Sequence, residues 1–205
     1  MKNENESQES HILKTLPEMF GIRVQEKPIY KVLKTDGNFE IRSYEEQLIA
    51  KITMHGMSFD YFRDHAFEKL ADYIFEGNTK LLVHEHGKGE QVPMTSPVYQ
   101  EEIGAGIWSM SLILPKEYTL ETAPKPKNKD IALEIVEPYE VACVSYPGHS
   151  SIDKIKIHER ELAAWLVDHS EYAPTGKYMI AQYDAPFVVP SLKKNEIQVK
   201  LKYLH

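Results

Sequence analysis

The amino-acid sequence predicts an α+β fold. It is expected to hold two βαββ pseudo-repeats that form a curved antiparallel sheet or distorted barrel with two helices packed on it. Three observations carry this expectation: strand-like alternation bounded by turn residues, two amphipathic helical stretches, and a recurring order of strand, glycine, helix, strand, strand. The 205 residues, 42% of them hydrophobic, suffice to bury a core shared by two fused halves.

The elements follow in order. After Pro28, Tyr30 and Val32 and then Phe39 and Ile41 stand two apart around Thr35-Asp36-Gly37-Asn38, which signals a hairpin. Leu48 to Met54 forms a third strand, closed by His55-Gly56. Ser58 caps a helix in which Phe59, Phe62, Ala66, Leu70, Tyr73 and Ile74 recur at three- and four-residue steps, and Gly77 and Asn78 end it. Strands are expected through Val92 to Tyr99 and Ile107 to Leu114, the second stopped by Pro115.

Thr122 to Asp130, with Pro124, Pro126 and several lysines, reads as an exposed linker. It divides the chain into a tail and lead-in over 1–27 and two pseudo-repeats over 28–121 and 130–205. In the second repeat a valine-rich strand, Tyr139 to Tyr146, precedes Gly148 and a helix carrying Ile155, Leu162, Trp165 and Leu166. Strands through Tyr178 to Tyr183 and Glu196 to Tyr203 close it, separated by the proline-punctuated loop Ala185 to Pro190. A ligand cleft is expected in the crease between helices and sheet.

The net charge of -7 and the absence of a Lys/Arg block interleaved with aromatics argue against a nucleic-acid surface. Cys143 is the only cysteine, so no disulfide scaffold forms, and its apolar neighbours Val141, Ala142 and Val144 suit a buried, inert thiol. Met1 to Ser10 is polar and lacks signal-peptide features. Between His11 and Ile22 the apolar residues fall at near-helical spacing, interrupted by Pro17, and the segment is expected to dock on the domain or touch a membrane surface, docking being favoured because it is short and has few basic residues. No apolar stretch approaches the roughly 20 residues of a membrane span, and the expected location is the cytoplasm.

Several stretches resemble the SOUL/haem-binding family. They are Tyr30-Lys31-Val32-Leu33-Lys34 with Phe39-Glu40-Ile41-Arg42, Tyr73 to Asn78, Pro93-Met94-Thr95-Ser96-Pro97-Val98, and Trp108-Ser109-Met110-Ser111 with Leu114 to Tyr118. Tyr183-Asp184-Ala185-Pro186-Phe187 and Lys193-Lys194-Asn195-Glu196-Ile197 continue the resemblance, and Phe20 to Arg23 is similar to the lead-in of bacterial members. The resemblance implies a gyrase-inhibitor-like effector-binding fold and non-enzymatic binding of haem or another tetrapyrrole, for buffering or transport. It also marks a departure: where some members carry a proposed axial histidine after the "YEIR" segment, this chain has Ser43. Without that ligand, haem has to be held by another histidine or by apolar contacts and basic residues.

Candidate ligand-binding residues are Arg42, Met57, Arg63, His65, Phe67, Met94, Trp108, Tyr183 and Glu196. The arginines offer charge to a carboxylate, the aromatics a stacking face, and the methionines an adaptable surface that equally serves to fill a core. His65 stands at a pocket edge or as an ordinary half-exposed helix residue. His84 and His86 have a metal-like spacing, but flanking Gly87, Lys88 and Gly89 suit an exposed loop, and no metal is expected. Glu196 is expected to have a raised pKa if it borders an apolar pocket, where it would bind a small hydrophobic ligand or catalyse its hydrolysis; the other reading is a hydrogen-bonded structural Glu. No nucleophile elbow, phosphate loop or Ser/His/Asp set is recognisable, which favours binding over catalysis.

Overall fold

The computed structural model describes residues 26–80, 89–184, 188–189, 191 and 193–204. The expected docking segment, His84, His86, and Ala185 to Phe187 and Pro190 of the last loop lie outside the described residues. The elements are β1 (Tyr30–Asp36), β2 (Phe39–Tyr44), β3 (Gln47–His55), α1 (Phe59–Phe75), β4 (Asn78–Thr79), β5 (Val98–Gly104) and β6 (Ile107–Ile113). They continue with β7 (Lys125–Pro126), β8 (Ile131–Val136), β9 (Tyr139–Pro147), α2 (Ile152–Val167), β10 (Tyr172–Gln182) and β11 (Lys194–Tyr203). Nine strands form one antiparallel sheet in the order β1-β2-β9-β11-β10-β5-β6-β3-β8, open rather than closed into a barrel, and β4 pairs with β7 apart from it.

The repeats are related at a constant offset: β2 maps onto β8 (39 to 131), β3 onto β9 (47 to 139), and Gly56 onto Gly148. Each leading strand pairs with the other repeat. Tyr44 opposes Tyr139 in the β2–β9 ladder, and Gln47 opposes Val136 in the β3–β8 ladder, with unchanged register across Glu45-Glu46 and Glu137-Pro138. Residues 39–55 and 131–147 therefore act as two long bent strands that cross at a pseudo-twofold axis.

Local chemistry explains the boundaries. Gly37, at φ +59°, supplies the left-handed position of the β1–β2 turn. Ser58 and Ser151 cap the helices by accepting from the amides of Tyr61 and Lys154. Along α1, Phe59, Phe62, Ala66, Leu70, Tyr73 and Ile74 are buried in one core with Ala50, Ile52, Trp108, Met110 and Leu112 of the sheet. Each large side chain so buried contributes about 1.5–3 kcal/mol. The crease between helices and sheet, expected to be a cleft, is thus a filled core.

Three strand boundaries differ from expectation. The strand placed at Val92 begins at Val98, because Pro93 and Pro97 lack amide donors; the extended stretch before it makes one bridge, from Thr95 to Glu26. β10 begins at Tyr172, hidden in the sequence by Pro174 and Gly176, where its register to β11 shifts. β8 was not expected: its alternating Ile131, Leu133 and Ile135 directly adjoin the polar linker, which itself contributes β7.

Candidate functional site at the pseudo-twofold axis

Strand alternation sends every second side chain to the face away from the helices. There a cleft of about 330 Å³ is lined by Ile49 and Lys51 of β3, Tyr99 and Glu101 of β5, Val136 of β8, Tyr139 of β9, Met179 of β10 and Lys200 of β11, among others. Gln47 and Glu137, beside the strand crossing, complete its floor. The volume lies in the range of small-molecule sites.

The walls mix apolar surface with unpaired polar groups. The Tyr99 hydroxyl and the Gln47 Nε2 are buried against the hydroxyl of Tyr139 without a well-formed hydrogen bond, and Oε1 of Gln198 on the same face has none either. Burial, reinforced by Tyr44, Tyr139 and Tyr183, pushes the Tyr99 hydroxyl pKa well up, so it stays protonated and able to donate. At the rim Lys51 pairs with Glu134 at 3.2 Å, and the Lys200 ammonium lies 4.6 Å from the centroid of the Tyr139 ring. Burial raises the Glu101 carboxyl pKa against the pull of Lys200 and Lys51.

Beyond Tyr44, whose ring stacks on Tyr139 at 5.3 Å, lies a buried polar network centred on Glu196. Arg42 donates to both carboxylate oxygens, Nη1 to Oε2 at 2.8 Å and Nη2 to Oε1 at 3.0 Å. The Tyr183 hydroxyl (2.7 Å), Gln198 Nε2 (2.8 Å) and Ser145 Oγ (3.1 Å) also donate to it, and Lys194 Nζ stands at 3.2 Å. Burial alone would raise the carboxyl pKa, but the hydrogen bonds and charge of Arg42, with those of Tyr183 and Gln198, bring it to about 2. The raised pKa expected for Glu196 is therefore corrected: it is a fully bonded carboxylate.

The structure brings together Arg42, Tyr183 and Glu196, and places the other candidates on the helix side. Trp108 sits in the core with its ring 4.9 Å from that of Phe59, and Met57, Phe67 and Met94 pack against the same core. Arg63 pairs with Asp60 and Asp64, and His65 bonds the Tyr61 carbonyl through Nδ1 and stacks on the Tyr61 ring. Sequence reasoning missed Gln47, Lys51, Tyr99, Tyr139, Met179 and Lys200. The legible signal was a lysine inside the apolar run Leu48-Ile49-Ala50-Lys51-Ile52. Among the described residues no group of three His, Cys, Asp or Glu side chains is placed to hold a metal ion, and no helix is long and apolar enough to cross a membrane.

Residues 25–200 match the family described as SOUL heme-binding protein. No curated protein matches by sequence. Among solved structures, the C-terminal domain of EcmrR is similar with a TM-score of 0.54 at 12% identity, over 86% of this chain and 99% of that one. EcmrR in a cryo-EM complex with DNA gives 0.57 at 12% identity, over 95% of this chain but 65% of that one. A structure described as a hydrolase from Listeria innocua gives 0.50 at 12% identity, over 92% and 98%. At these identities the likenesses show a shared fold, the gyrase-inhibitor-like effector-binding one.

Proposed function

The chain belongs to the SOUL heme-binding protein family, and from that premise we propose that it binds haem or another tetrapyrrole in the cleft at the pseudo-twofold axis, without transforming it, to buffer or carry it. One observation carries the reading: an aromatic-walled cleft whose buried Tyr99 hydroxyl and Gln47 amide have no well-formed hydrogen bond, only the neighbouring tyrosine hydroxyls of Tyr44 and Tyr139 to turn to. A buried polar group left wholly unpaired costs about 1–3 kcal/mol, and a ligand offering acceptors recovers the part of it that these poorly aligned groups still carry. Tyr99, Ile49 and Met179 offer contact to a flat ring, Lys51 and Lys200 offer charge to its carboxylates, and Lys200 uncovers the Tyr139 face as it turns to them. Covering about 150 Å² of apolar ring surface would contribute about 4 kcal/mol.

The lining residues include neither histidine nor cysteine. They offer the ring and carboxylates of a tetrapyrrole contact and charge, and they lack the histidine and thiolate ligands of haem iron, in keeping with Ser43 at the family's proposed ligand position. Contact, not coordination, is the basis of affinity in this reading. The alternative, cation binding or hydrolysis at Glu196, needs a carboxyl free to receive a ligand or move a proton, and Glu196 is engaged by Arg42, Tyr183, Gln198 and Ser145.

Titration with hemin and with metal-free protoporphyrin tests the proposal. Both should bind saturably at micromolar concentration with similar affinity, and Lys200→Glu and Tyr139→Ala should each weaken binding by about tenfold. No saturable absorbance change with either compound would sink it.

A further inference from the structure

On the concave face, the places where a cationic ligand would sit are already taken by the protein's own cations. The Arg42 guanidinium carbon lies 4.6 Å from the centroid of the Tyr30 ring, the Lys194 ammonium 4.9 Å from that of Tyr183, and Lys200 4.6 Å from that of Tyr139. Arg42 also spans both oxygens of Glu196, and its Nε donates to Glu40 at 2.6 Å. An aromatic face beside a carboxylate is the arrangement that recognises organic cations. Here the guanidinium, 2% exposed, fills it from within the chain, while Glu196 is fully enclosed.

We propose that Glu196 with Tyr30 and Tyr44 forms a cation cage whose guest is Arg42, so that the concave face turns away free cations and selects neutral or anionic ligands. Arg42 is then the residue that sets specificity. It is tied to its own strand, so an external cation must displace a group present at very high effective concentration. The carboxylate's remaining lone pairs are engaged by Tyr183, Gln198 and Ser145, and provide no second seat. In the cleft itself Lys51 and Lys200 stand among Glu101, Glu134 and Glu137, so discrimination against cations rests on the seat that Arg42 fills, and a ligand with carboxylates needs the two lysines to turn from their weak, exposed contacts. The selectivity towards a tetrapyrrole rests on the function proposed above; the occupied cage does not.

Two measurements separate them. In the first, wild type, Arg42→Ala, Arg42→Met and the double variant Arg42→Ala/Glu196→Gln are unfolded thermally in the presence of methylguanidinium chloride. The single variants should show a saturable rise in Tm, as expected when a ligand binds only the folded state, and wild type and the double variant should not. Should Arg42→Ala not fold alone, recovery of its fold by methylguanidinium counts as binding. No recovery, together with no stabilisation of Arg42→Met, overturns the cage, as does an equal response in the double variant. In the second, a tetraanionic carboxyphenyl porphyrin should bind wild type at least about tenfold more tightly than a tetracationic N-methylpyridinium porphyrin, and Arg42→Met should narrow that ratio. An equal affinity for both overturns the selectivity. Binding of neither removes the tetrapyrrole reading and leaves the cage to the methylguanidinium result.

Discussion

Arg42 and Glu196, 154 positions apart in the chain, meet through two hydrogen bonds of 2.8 and 3.0 Å between adjoining regions of one sheet, both side chains almost wholly out of solvent. Removing two charges from water is costly, and attraction in the interior offsets that cost only when the geometry is good and the remaining donors and acceptors are satisfied. Tyr183, Gln198 and Ser145 supply the rest for Glu196, and Glu40 and Tyr44 for Arg42. Glu196→Gln leaves the buried guanidinium with Glu40 as its one remaining carboxylate and should destabilise the fold by about 2–3 kcal/mol in urea unfolding. The paired change Arg42→Met with Glu196→Leu should regain most of that loss; a double variant no more stable than Glu196→Gln would show that the pair holds the fold through more than mutual charge.

The same carboxylate gives a pH signature. Its folded pKa is depressed from an ordinary 4.5 to about 2. A depressed carboxyl contributes stability that is fully present above its unfolded value and is lost as pH falls through its folded value, here between about pH 5 and pH 2. The size is about 3 kcal/mol. Wild type should therefore lose its advantage over Glu196→Gln in that acid window and keep it between pH 5 and 7. A difference constant from pH 7 to pH 2 would contradict the assignment.

Cys143 lies at the centre of β9 with no exposure, and burial pushes its thiol pKa up to about 12 although Arg42 pulls the other way. The thiolate is the reactive form. The folded protein should be inert to an aromatic disulfide reagent at pH 8 and react only as it unfolds, with the rate rising in step with urea. A fast stoichiometric reaction in native buffer would mean that β9 is accessible.

Two glycines should respond in opposite ways. A β-carbon at Gly89 would stand 2.7 Å from the Glu76 carbonyl oxygen and 3.0 Å from its Cα, at the end of α1, where backbone has to move. Gly89→Ala should cost about 1–3 kcal/mol. Gly37 has open space but a positive φ, so Gly37→Asn, which tolerates that conformation, should change stability by less than about 0.5 kcal/mol. Equal losses at both would overturn the distinction between contact and conformation.

The helix stripes, both serine caps, the β1–β2 turn and the repeating order of elements were legible because each depends on neighbours within a few positions. The cleft was not. Alternation tells that Ile49, Lys51, Tyr99 and Met179 point to one side of their strands, but which side receives the helices is decided by packing between segments far apart. Arg42 and Glu196 each carried a signal as a charge in an apolar strand, yet their pairing depends on β2 and β11 both flanking β9, which no local pattern encodes. β8 shows the reverse case: its alternation was present, and the adjoining Pro/Lys linker masked it.

His65 distinguishes the concave face from the helix side as the place of binding. It lies on α1, in the layer opposite the cleft, with Nδ1 2.9 Å from the Tyr61 carbonyl oxygen and its ring 3.7 Å from the Tyr61 ring. A carbonyl beside Nδ1 accepts a hydrogen bond from that nitrogen, so in the neutral ring Nε2 is the nitrogen with the lone pair that ligates iron. Chemistry therefore does not disqualify His65; its position does only for a ligand in the proposed cleft, which lines the other face of the sheet. If a tetrapyrrole binds at the pseudo-twofold axis, His65→Ala should leave hemin affinity within about threefold, and Lys200→Glu should be the damaging change. A loss beyond about a hundredfold, or 2.7 kcal/mol, in His65→Ala with Lys200→Glu unaffected would identify an axial ligand on α1 and move the site to the helix side.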